Sequence, residues 1–117
     1  MPFQGRDRSP ACGSSLRVSL VLDDEQRVSA LGLSAQACAI GQASAAIFAK
    51  AAIGRTPDEI RQASEAIAAW LKGAAPQPDW PGLDAIAPAL AYPARHGAIL
   101  LPWRAAQSAL STAATAG

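Results

Sequence analysis

The order in which hydrophobic periodicities change along the chain constrains its fold more than any other feature. Leu16, Val18, Leu20 and Leu22 alternate with Arg17 and Ser19, which is the two-residue period of a half-buried strand. Only Val21 breaks the pattern. Asp23-Asp24-Glu25 interrupts it, and Leu31 and Leu33 then alternate with small residues between Arg27 and Leu33, so a hairpin is the simplest connection. From Ala39 to Ile53 the chain turns alanine-rich, and Ile40, Ala43, Ile47 and Ala51 recur at the spacing of one helix face. Strands first and helices after predict an α+β fold. The expected architecture is a small antiparallel sheet, a hairpin of two to three strands, packed against several helices.

Local punctuation divides the rest. Gly54 closes the first helix. Thr56-Pro57-Asp58-Glu59 supplies a cap, a proline at the first helical position and a glutamate three after the cap, so a second helix starts there. It carries Ile60, Ala63, Ile67, Trp70 and Leu71 on its apolar side and stops at Gly73. Pro76, Pro78 and Pro81 make the next stretch irregular, and a short helical turn follows around Leu83 to Ala87. A last helix is expected from about Ala94 toward Ala109, with Leu100, Leu101 and Trp103 as core anchors and Pro102 near its start or kinking it. Residues 1–11 read as a flexible arm, 12–110 as one domain and 111–117 as a fraying tail.

At 117 residues and 50% hydrophobic content, the chain can bury a modest core without disulfides. Its net charge of +1 creates no field that would gather nucleic acid or an anionic membrane surface. The opening residues lack a signal-peptide core, and Lys50, Pro102 or Arg104 interrupts the apolar stretches before they reach membrane-spanning length. A cytoplasmic protein is therefore expected, with Cys12 and Cys38 as reduced thiols.

The usual catalytic signatures, including a Gly-rich phosphate loop, H-E-x-x-H, G-x-S-x-G and C-x-x-C, are missing, so an enzyme is not expected. The single histidine, His96, is of a kind more often structural than functional. Free cysteines are usually just buried. These two, however, sit at loop edges, Cys12 before the first strand and Cys38 at the start of the alanine-rich helix. A hairpin brings those edges together, and a helix N-terminus favours a thiolate at Cys38. A soft metal or a sulfur species is then a reasonable occupant.

Pro10-Ala11-Cys12-Gly13, a hairpin, and Ala37-Cys38-Ala39-Ile40-Gly41-Gln42-Ala43-Ser44-Ala45 resemble the first two cysteine motifs of the U-type iron-sulfur scaffolds: IscU, SufU and the N-terminal domain of NifU. Pro93-Ala94-Arg95 with Leu101, Trp103 and Ala105 resembles the P-x-R-x-x-C-x-x-L-x-W segment of the SufU branch. The likeness spans Pro10 to Leu110. It implies an iron-sulfur assembly scaffold that holds a cluster or zinc on three cysteines and an aspartate and receives sulfur from a cysteine desulfurase or works with other assembly proteins.

Carried over by position, Cys12 and Cys38 match the first two cysteines, and His96 is a third metal-ligand candidate. Ser14 stands where the aspartate is expected. The third cysteine falls on Ala98, or on Gly97 if His96 is matched to the histidine that precedes that cysteine in IscU. Two readings stay open: an incomplete site that binds metal or cluster or accepts sulfur, and an interaction or regulatory module that keeps the fold and carries no cofactor. Homo-oligomerisation is also left open.

Overall fold

Strands β1 (Phe3–Ser9), β2 (Ser14–Leu22) and β3 (Val28–Gln36) form one antiparallel sheet in sequence order. They are followed by helices α1 (Ala39–Ala52), α2 (Pro57–Leu71) and α3 (His96–Ala116). The computed structural model describes residues 3–9 and 14–116, with side chains at 3–7 and 14–111. The α+β expectation holds, with three strands in the sheet.

The alternation read over Leu16 to Leu22 decides which face of the sheet is inside. Leu16, Val18 and Leu20 are buried while Arg17 and Val21 are exposed, as the pleat requires. α3 lies across β1 and β2 and packs against α1 and α2, so the core is a layer between sheet and helices. Among the described residues, no helix is long and apolar enough to cross a membrane.

Two expectations are corrected. Part of the arm expected over residues 1–11 is the strand β1, paired with β2 from Phe3↔Leu20 to Ser9↔Ser14. Its polar composition hid it, because an edge strand draws its hydrogen bonds from its neighbour and needs apolar residues only on its inner face. At one of those inner positions the residue is Gly5. A Cβ there would fall inside the Ala105 carbonyl and against the Ala109 amide, so glycine is what lets α3 lie directly on the strand. The last helix, expected to run toward Ala109, continues as α3 to Ala116, in keeping with the high helix propensity of its alanines.

The helix boundaries follow their local chemistry. At α2 the Glu59 amide donates to Thr56 Oγ1 at 3.1 Å, and the Thr56 amide donates to the Glu59 carboxylate at 3.2 Å. This is the reciprocal cap read from the sequence. Gly54 and Gly73 take φ of +89° and +76° just beyond α1 and α2, where a side chain would be strained.

The proline-rich connection is anchored by Trp80. Its indole N–H donates to the Ile47 carbonyl at 3.0 Å, its ring stacks on Phe48 with centroids 5.6 Å apart, and Trp103 meets both rings edge-on. The Arg55 guanidinium covers Trp80 at 4.0 Å. The helical turn expected near Leu83 to Ala87 is a 3-10 segment, Leu83–Ala91, and a second short one, Pro93–Arg95, leads into α3.

Candidate functional site

Cys38 occupies the N-cap of α1, where the first helical amides have no partner within the helix. β3 delivers it there. The pairs Ser15↔Gln36 and Ser9↔Ser14 put the end of β3 beside the start of β2. Ser14 is buried, and its hydroxyl both donates to Cys38 Sγ at 3.8 Å and accepts from the Cys38 amide at 3.3 Å. Ser14 thus touches the cysteine that the sequence paired it with functionally.

The electrostatics favour sulfur anion. Burial pushes the Cys38 thiol up, but the Gly41 amide, the Ser14 hydroxyl, the Arg95 side chain and the Ile40 amide together outweigh burial. The thiol is held down at about 7, against an ordinary 9.0. The shift favours the thiolate, which is both the nucleophile and the metal-ligating form of cysteine.

A glycine and a buried serine give the sulfur its surroundings. At Gly41 a Cβ would lie 2.6 Å from the Ala37 methyl and 3.7 Å from both the Ala98 methyl and Ser14 Oγ. The first turn of α1 therefore packs closely on α3 and β2. Behind it, the buried Ser44 hydroxyl donates to the Ile99 carbonyl at 2.5 Å, tying the helix of Cys38 to that of Ala98.

Ser14, Cys38 and Ala98 are thus neighbours around Gly41. Gly97 is half-buried one residue earlier on α3. His96 is engaged elsewhere: its Nε2 lies 3.1 Å from the Leu90 carbonyl, which can only accept, so Nε2 carries the proton. Cys12 lies outside the described residues. Arg95 and Gly41 were in plain view in the sequence, inside the segments that carried the resemblance, but received no role. Arg95 could have been singled out as a cation on the segment leading to the third-cysteine position.

A zinc or cluster site generally takes four protein or solvent ligands. The described residues offer one thiolate, a hydroxyl that stays protonated at neutral pH, and a methyl group at Ala98. Among them, no three His, Cys, Asp or Glu side chains converge as a metal cage. The guanidinium beside the sulfur suits an anion rather than a bare cation. What these residues do well is stabilise one negatively charged sulfur.

A three-stranded antiparallel sheet covered by helices, with a thiol at the N-terminus of the first helix after the sheet, defines the class as an α+β domain of the U-type scaffold architecture. The family model for the NifU-like N terminal domain matches residues 2–98, and the chain belongs to that family. The N-terminal part of a nitrogen-fixing NifU-like protein from Brucella abortus is similar at 31% identity and a TM-score of 0.90, covering 97% of this chain and 80% of that one. A SufU from Fervidobacterium islandicum, described as an iron-sulfur cluster assembly scaffold candidate for the SUF system, shares the fold with a TM-score of 0.82 at 22% identity, over 92% and 79% of the two chains. No curated protein matches the chain.

Proposed function

We propose that this chain is a non-enzymatic, cytoplasmic scaffold-like protein of iron-sulfur cluster assembly. It handles metal, cluster or sulfur through Cys38 together with Cys12, on a ligand set that a partner must complete. The observation that carries this reading is the Cys38 thiol, lowered to about 7 and set among Ser14, Gly41 and Arg95 at the start of α1. A cysteine desulfurase or another assembly protein is the partner that supplies sulfur.

The chemistry these residues favour is sulfur acceptance. The Cys38 thiolate attacks the outer sulfur of a persulfide on the donor protein. The donor's S–S bond breaks, a new S–S bond forms on Cys38, and the donor cysteine leaves as a thiolate, so the transfer needs no external oxidant or reductant. The helix amides and Arg95 then stabilise the terminal persulfide anion. Cluster iron, as cargo, would be held only with further donors, since Ala98 provides none.

The test is to incubate the protein with a cysteine desulfurase and free cysteine and measure its mass. The expected result is a gain of one sulfur atom, released by reductant and lost in Cys38→Ser. Parallel anaerobic reconstitution with iron and sulfide compares the protein with a Cys12→Ser, Cys38→Ser control. No sulfur gained, and no metal retained above that control, would sink the proposal. The methyl group of Ala98 beside Gly41 favours a second reading, a module that keeps the fold and binds assembly partners without cargo. Desulfurase binding that survives loss of both thiols, with no sulfur or metal uptake, would establish that alternative.

A further inference from the structure

The helix-free face of the sheet carries a feature that the thiol site does not use. Alternation turns one set of strand residues inward with Leu16, Val18 and Leu20 and leaves the other set facing solvent. On that outer face Gln4, Ser19 and Gly32 align across the three strands, and Arg6, Arg17 and Ser34 form the next row. Together they line a trough of about 580 Å³. Gly32 leaves its floor open, since a Cβ there would meet nothing within 4 Å.

Arg6 and Arg17 stand directly opposite one another. Facing like charges repel, yet neither guanidinium has a hydrogen bond or ion pair to any described residue. No carboxylate among the described residues, Asp24 in the exposed β2–β3 turn included, pairs with either arginine. Asp7 alternates to the helix side, Asp23 accepts from the Glu25 and Arg27 amides, and Glu25 faces Arg27. No outward strand position among the described residues is acidic. The pair therefore holds uncompensated positive charge in a concavity.

We propose that this face docks an acidic segment of a protein partner, an extended stretch with two carboxylates two residues apart. Each guanidinium fork matches one carboxylate. Same-face carboxylates on an extended chain repeat at roughly 7 Å, a spacing that two splayed arginines on neighbouring strands can meet. The shape favours a chain over a small solute: Gln4, Arg6, Arg17, Gly32 and Ser34 are all exposed, so nothing closes over a free anion, whereas the bare floor at Gly32 admits a backbone. Because the trough lies on the solvent face, its occupation leaves Cys38 at the helix side open.

The test is a titration of isotopically labelled protein, followed by amide NMR, with three probes: a peptide bearing two glutamates two residues apart, its lysine twin, and inorganic phosphate. The glutamate peptide alone is expected to shift the amides of Arg17, Ser19 and Gly32, with shifts that diminish as salt rises. Arg6→Gln with Arg17→Gln should weaken binding roughly tenfold or more, as loss of charge-assisted pairs predicts. Gly32→Tyr should block it with both arginines intact, which keeps the test decisive if the double variant folds poorly. Peptide binding indifferent to both variants, equal shifts from the lysine twin, equal shifts from phosphate, or no shift from any probe would each overturn the proposal.

Discussion

At Cys38, opposing effects on one sulfur decide the chemistry. Burial alone would keep the thiol protonated, and two helix amides, a hydroxyl and a guanidinium reverse that. In a Cys12→Ser background, the rate of alkylation of Cys38 should therefore rise with pH through an inflection near 7, and Arg95→Gln should move that inflection upward. Because the folded value lies below the ordinary 9.0, the thiolate's contribution to stability is full above 9.0 and is lost as pH falls through about 7. Denaturant titrations of the protein and of Cys38→Ala should diverge as pH rises across that window and run parallel below it.

The positions that depart from the ligand pattern make a second expectation at this scale. Ser14→Asp with Ala98→Cys should raise zinc retained after dialysis toward one per chain, while the unaltered protein retains less, as metal analysis would show. Equal retention by both would mean that positions 14 and 98 do not face a shared ligand site.

Among the elements, α2 is the one whose start was most fully legible, because a capping box is local chemistry. Thr56, Pro57 and Glu59 lie within one turn of one another and need no tertiary partner. Thr56→Ala should cost about 1 kcal/mol of stability, measured by denaturant unfolding. β1 is the opposite case. Its residues Phe3, Gly5 and Asp7 face inward but carry no common hydrophobic signature, and its hydrogen bonds come from a strand whose pairing the local sequence does not state. Gly5→Val should cost at least about 2 kcal/mol, because the new side chain meets the α3 backbone, which cannot move aside like a flexible side chain. Unfolding midpoints equal to those of the unaltered protein would show that α3 does not press on β1.

For the whole molecule, the arrangement of the thiol depends on residues far apart in the chain. Ser14 comes from the start of β2, Gly41 from α1, Arg95 from the segment before α3 and Ala98 from α3 itself. Ser44 and the Trp80–Phe48–Trp103 cluster hold those elements together. The sequence by itself determined the strand-then-helix order, the buried face of β2 and the caps of α2, because alternation, helical spacing and capping are written in neighbouring residues. It also placed Cys38 at a helix start, where a lowered thiol follows from the backbone amides. Only the tertiary structure decided that residues 3–9 add a strand, that Arg95 reaches the sulfur, that His96 turns to Leu90, and that Arg6 and Arg17 face each other across an open trough. Each of these depends on which strand or helix lies beside which, and that is settled by burial and hydrogen bonding across the whole chain rather than by local sequence.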